Sequence, residues 1–292
     1  METMETYATL ADLKSFEISP ATIKPGSVVA IIGDNDELAQ RVLLDLCWAL
    51  RDQHRFAKVF SRRFQTTEFY KSIVPTPFIY HGKNLQEKDA KNEFTRWFLY
   101  HRKQYAIHGR KVSTFLFLDE VITDGNKNNK ETAMYDQFFD VKDIGITTIV
   151  RAKDGIAGIP SMLKKMVDYT FILNNSPDIQ KLQKQYAYMM FGKPHVFAGL
   201  IASCHPLQCL VIEKEPQSID TTCILPWMNH IKRFECGERR DSGEVRLCSS
   251  KLWNFALRPA DTPPDNDLLM YSRLLQNCAQ TTGKKFALRR LT

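Results

Sequence analysis

The chain has 292 residues, 43% hydrophobic and 25% charged, a composition that excludes global disorder. A formal net charge of +7 permits contact with nucleic acid or an anionic surface without requiring either. Seven cysteines with no C-x-x-C argue against a disulfide framework, and no apolar run reaches the ~20 residues of a membrane span.

From the start, "METMETYATLADLKSF" carries acidic residues where a signal peptide would be positive and apolar, so a soluble intracellular protein is expected. Short apolar runs follow at 27–32 (SVVAII), 57–61, 77–80, 114–119 (TFLFLD), 146–150, 169–173 and 208–213. Most are apolar throughout, which marks strands covered on both faces. Helical patterns lie near 38–53, 86–108, 131–140, 160–166, 178–190 and 195–203, and Trp97 and Phe98 on the second of these are expected in the core. Strands alternating with helices predict an α/β fold, a mainly parallel sheet with helices on both faces. The expected organisation is a lead at 1–14, one core domain at 15–230, and an irregular C-terminal extension at 231–292. That extension holds a turn at "TPPDND", a helix near 267–279 and a basic tail. A polar loop, "TDGNKNNKET" at 123–132, follows a strand, where α/β proteins place functional loops.

The strand 28–32 runs into Gly33 and then an apolar helix, the frame of a phosphate-binding loop G-x-x-x-x-G-K-[ST]. In such a loop the backbone amides wrap the phosphates, the lysine neutralises them and the hydroxyl binds Mg²⁺. Counted from Gly33, however, the second glycine, the lysine and the hydroxyl fall on Leu38, Ala39 and Gln40. Between them stand Asp34, Asn35, Asp36 and Glu37. At ~6 Å and an effective dielectric of ~20, each carboxylate repels a phosphate by about 3 kcal/mol. Such residues suit a helix N-terminus, where Asp or Asn caps and a first-turn Glu satisfy free amides. Residues 33–40 therefore read as a relict loop in which side chains take the role of the anion.

"FLFLDEVITD" ends a strand in Asp119-Glu120, the Walker B pattern. There the first carboxylate holds Mg²⁺ and the second polarises the attacking water. "CHPLQC", with Cys204, His205 and Cys209, lacks the second ligand pair of a metal site and reads as thiols beside a buried strand, so no metal centre is expected. Lys284, Lys285, Arg289 and Arg290 in the tail are candidates for gripping a phosphate backbone.

"FEISPATIKPGSVVAIIG", "VPTPFIY", "FLFLDE", "IGITTIV…GIPSMLKKMVDYTFIL" and "SCHPLQCLVIE" occur in an order that resembles the genome-packaging ATPases of large DNA viruses. These are the poxvirus/iridovirus-type members of the FtsK–HerA class of P-loop motors. The resemblance spans roughly residues 15–230, with "VRLCSSKLWNFAL" similar to the family's closing segment. It implies a RecA-like core, a homo-oligomeric ring and ATP-driven movement of double-stranded DNA into a capsid. It also implies capsid components as partners and a location at the cytoplasmic assembly site or in the virion. Carried over residue by residue, the Walker B pair is kept as Asp119 and Glu120, while the P-loop lysine and hydroxyl are lost. The sensor after strand 146–150 falls on Lys153 or Asp154, and the arginine that acts across a subunit boundary is replaced by Lys164. The expectation is a catalytically degenerate relative without bound ATP or Mg²⁺, serving a structural, regulatory or DNA-contacting role beside an active paralogue. Two rival expectations are an active ATPase with ATP and Mg²⁺ in an altered pocket at Asp119 and Glu120, and a basic nucleic-acid-binding module.

Overall fold

A computed structural model describes residues 9–54, 56–82, 88–108, 114–122, 140–153, 159, 161–174, 180, 182, 184, 194–215, 226–237 and 245–248. Eight strands form one sheet: β1 (Val28–Ile32), β2 (Phe56–Ser61), β3 (Ile79–His81), β4 (Thr114–Asp119), β5 (Ile146–Ala152), β6 (Tyr169–Leu173), β7 (Gln208–Glu213) and β8 (Ile231–Glu235). Their order is β3-β2-β4-β5-β1-β6-β7-β8. The first six run parallel to their neighbours, and β7 and β8 add antiparallel at one edge. Five helices are described: α1 (Asp36–Leu50), α2 (Phe64–Ile73), α3 (Lys88–His108), α4 (Ser161–Met166) and α5 (Pro194–Ala202).

The expected α/β fold with helices on both faces is the observed one. Every residue of β1, β4, β5, β6 and β7 is buried, as their unbroken apolar character requires. The alternation of side chains divides β1 between two cores. Val29 and Ile31 pack with Leu38, Val42, Leu46 and Leu50 of α1 and with Tyr70 and Ile73 of α2. Val28, Ala30 and Ile32 pack with α3, α4 and α5 through residues such as Phe94, Phe98, Leu163 and Phe197. Trp97 and Phe98 are buried as expected. Full burial of each such side chain contributes about 1.5–3 kcal/mol.

Two elements depart from the sequence expectation. Helix α2, "FQTTEFYKSI", carries two adjacent threonines and a serine, so propensity argues against it; buried Tyr70 and Ile73 hold it to the sheet. Residues 231–235, expected to begin an irregular extension, form β8, whose lysine and arginine mask the alternation of an edge strand. Ile231 and Phe234 are buried, and Lys232 Nζ lies 2.7 Å from the buried Glu213 of β7. The sheet thus runs past residue 230, and Val245 and Leu247 also pack on the core, with Leu247 N donating to Ile73 O at 2.8 Å. The loop at 123–132, the helix near 267–279, most of the helices expected near 131–140 and 178–190, and the basic tail lie outside the described residues.

Two buried histidines couple this core to pH. His54 stacks on Phe115 with ring centroids 3.8 Å apart. Its Nδ1 is 2.9 Å from Leu50 O, which can only accept, so Nδ1 carries the proton and Nε2 accepts from Thr147 Oγ1 at 2.8 Å. Burial pushes the His54 pKa down to about 4, against the Leu50 carbonyl. His101, packed edge-on to Trp97, is pushed by burial to about 3. Both rings hold a proton less readily in the folded chain than in the unfolded one. Their contribution to stability is therefore present above the ordinary histidine pKa and lost as pH falls through it. Replacing His54→Gln should flatten the loss of stability between pH 7 and pH 4 by about 3 kcal/mol, measured by urea unfolding across that range. An unchanged slope would contradict the assignment.

Candidate functional site

The C-terminal ends of parallel strands are where an α/β sheet presents ligand-binding groups. Here register places Ser61 of β2, Asp119 of β4, Arg151 of β5 and Ile31 of β1 in one row. All four project toward the face covered by α1 and α2. Asp119 and Arg151 are both buried on this face of the sheet.

Only Gly33, Asp34 and Asn35 separate β1 from α1. That is fewer residues than a phosphate-wrapping loop needs between its glycines. Gly33 adopts φ +136°, and a Cβ there would stand 2.7 Å from Leu173 Cβ, so glycine is required by both conformation and space. Asn35 is the N-cap, its side chain accepting from Leu38 N at 3.0 Å. Leu38 and Ala39, at the glycine and lysine positions, turn into the core, and Gln40 is half-buried.

The acids of this turn do not behave as the sequence suggested. Asp34 and Asp36 pair with cations from other elements. Asp36 contacts the Arg151 guanidinium, which also stands 3.6 Å from Asp119 Oδ1. Lys153 Nζ lies 2.5 Å from Asp34 Oδ1 and 3.7 Å from Asp36 Oδ2. Arg63, just after β2, reaches Asp36 at 3.7 Å and Glu120 at 3.0 Å. Glu37 turns outward to Arg41 at 3.1 Å. Four carboxylates (Asp34, Asp36, Asp119, Glu120) and three cations (Arg63, Arg151, Lys153) thus form one connected network.

Burial raises the Asp119 pKa, with Arg151 and hydrogen bonds from Thr66 and Ser61 working against the rise. Glu120 is raised by burial too, against Arg63, with Asp119 adding to the rise. For Arg151, burial works to lower the pKa, but Asp119, Tyr70, Asp36 and Glu120 outweigh it and the net shift is upward. Glu120 has φ 56°, uncommon for a residue with a Cβ, and its N–H donates to Arg151 O at 3.1 Å. Chemically, the network comes close to neutralising itself: its carboxylates and its cations are bound to each other.

Of the residues expected to matter, Gly33, Asp34, Asp36, Asp119, Glu120 and Lys153 are brought together. Lys164 is not: it lies in the last turn of α4, leading into the start of β6 at the opposite end of the parallel strands. Asp154, Lys284, Lys285, Arg289 and Arg290 lie outside the described residues. Cys209 is buried on β7, while Cys204 is partly buried and its thiol donates to Leu200 O at 3.4 Å. Among the described residues no group of three or more His, Cys, Asp or Glu is placed to hold a metal ion. Arg63 and Arg151 were missed. For Arg151 a signal existed, since a lone arginine in "ITTIVRA" shares the parity of Ile149 and so points into a core; ending the strand at Val150 hid it.

No family model and no curated protein matches the sequence. Among solved structures, the chain is similar to B204, the DNA-packaging ATPase of Sulfolobus turreted icosahedral virus, at 12% identity over 72% of this chain and 98% of that one, TM-score 0.47. It is similar to the genome-packaging NTPase B204 of Sulfolobus turreted icosahedral virus 2 at 10% identity over 75% and 100% of the two chains, TM-score 0.49. A third is the pCW3 conjugation coupling protein TcpA, at 10% identity over 80% and 66%, TM-score 0.47. Likeness at such identities is one of fold and not of chemistry. Among the described residues no helix is long and apolar enough to cross a membrane.

The network predicts an order of mutational cost. Arg151→Met leaves buried Asp119 without its guanidinium and should destabilise by about 3–5 kcal/mol. Lys153→Met, which removes pairs to half-exposed acids, should cost about 1 kcal/mol or less. Urea unfolding of both variants measures the difference; equal costs would show that Arg151 does not compensate Asp119.

Proposed function

We propose that the chain is a non-hydrolysing member of the genome-packaging ATPase family of large DNA viruses. It keeps the motor's sheet and serves as a structural subunit in packaging double-stranded DNA, beside an active paralogue. The family assignment rests on the five ordered segments of sequence resemblance. Loss of hydrolysis rests on one observation, the pairing of Asp34 and Asp36 with Lys153 and Arg151 across a three-residue turn. A triphosphate would have to displace those acids from their cations and enter a turn too short to wrap it. Magnesium would have to compete with Arg151 for Asp119 and, at Glu120, with Arg63.

One observation favours the rival reading of an active enzyme. The Walker B pair stands together at the end of β4, within reach of three cations that would suit phosphates if the acids withdrew. A single experiment separates the two. Mg-ATP binding and DNA-stimulated hydrolysis are measured on the purified full-length chain, with Glu120→Gln as control. The expected result is no saturable binding and no turnover that depends on Glu120. Affinity of about micromolar with Glu120-dependent turnover would establish the rival.

A further inference from the structure

On the face of the sheet opposite the ion-pair network, a cavity of about 620 Å³ opens between α5, the first residues of the described chain, and the β7–β8 edge. Its size falls within the roughly 300–1,000 Å³ of small-ligand pockets. Leu10, Ala11, Val196 and Leu200 give it an apolar wall. Gly199 opens that wall further, because a Cβ built there meets nothing within 4 Å.

The polar side of the cavity is ordered. In the "CHPLQC" turn, Gln208 N donates to His205 O at 2.9 Å, and His205 N donates to Gln208 Oε1 at 3.3 Å. The remaining amide hydrogens of Gln208 reach Glu235 Oε2 at 3.0 Å. Glu235, two residues beyond Arg233 on β8, is thereby engaged by a neutral donor. Asp12, the acid of the turn at 10–12, accepts from Thr9 N and Oγ1 at 2.7 and 2.8 Å. Arg233 is held in place by its backbone, which pairs with Lys14 O and Phe16 N. Arg233 lines the cavity and makes no ion pair with a described residue, and among the described residues it is the single lysine or arginine of the lining.

We propose that this cavity binds a small monoanionic amphiphile, a carboxylate carrying an unbranched apolar chain. Arg233 takes the carboxylate in its planar fork, and the chain lies along Leu10, Val196 and Leu200 beneath Gly199. One guanidinium matches one negative charge; among the described lining residues the second charge of a phosphate monoester would find no further lysine or arginine. The inference does not depend on the reading of the nucleotide site, which lies on the other face of the sheet.

The test is calorimetric titration of the full-length protein with octanoate, with 1-octanol and octyl phosphate as comparison ligands. Octanoate is expected to bind saturably at one site, at least about tenfold more tightly than octanol or octyl phosphate. Arg233→Met should weaken it by about tenfold or more. Gly199→Leu should abolish binding by filling the cavity, with a urea midpoint no lower than the parent's, since leucine favours a helix over glycine. Absence of saturable binding would overturn the proposal, as would affinity unchanged in both variants. Octanol binding as tightly as octanoate would remove the role of Arg233, and tighter binding of octyl phosphate would overturn the choice of a carboxylate.

Discussion

A guanidinium buried in the middle of a parallel sheet has to be matched, and much of the candidate site follows from how Arg151 is matched. Removing a charge from water costs several kcal/mol unless partners replace the lost hydration. Arg151 lies between Asp119 on the neighbouring strand and Asp36 at the start of α1. It therefore ties β4, β5 and the β1–α1 turn into one unit. Each of these acids is in turn needed by the guanidinium, so neither is available at low cost to a ligand. Arg63 and Lys153 extend the same logic outward to Glu120 and Asp34, and at the half-exposed Asp34 solvent screening weakens the pair.

This arrangement reverses a simple electrostatic argument. A row of acids at the mouth of a phosphate-binding frame suggests a site too negative for a phosphate. The observed arrangement differs: the site is close to balanced, and each of its cations is paired with an acid. Repulsion can be screened by salt, whereas a buried pair exchanges partners only if the new partner compensates both members. Burial raises Asp119 and Glu120 and so makes bare carboxylates costly here. That cost strengthens the hold of the cations that offset it.

The fold could be read from the sequence because its strands are nearly continuous apolar runs separated by amphipathic helices, a pattern that survives without any site chemistry. The central strands and α3 were placed within a few residues. What escaped were elements whose stability comes from tertiary contact. Helix α2 has poor propensity and is held by Tyr70 and Ile73; β8 hides its buried Ile231 and Phe234 among charges. In the site, Asp119, Glu120 and the altered loop were visible because they occupy positions in a local pattern. Arg151 and Arg63 were not, because their partners are distant in sequence and brought near only by strand register. Local spacing reveals a motif's own residues, but not the cations that another strand supplies to it.

The strand–glycine–helix frame of residues 28–50 also has a physical basis. β1 is central, paired on both sides by β5 and β6, and its alternate side chains feed both cores. α1 covers one of those cores with seven buried residues, Leu38 and Ala39 among them. Gly33 joins the two in a conformation and a space that exclude a Cβ. This packing needs no lysine or hydroxyl at the positions of Ala39 and Gln40. At the lysine position Ala39 even buries a methyl group where a charge would need a partner. The atoms that would hold a phosphate and the atoms that the fold requires are different atoms of the same turn, and Gly33, Leu38 and Ala39 are among those the fold requires.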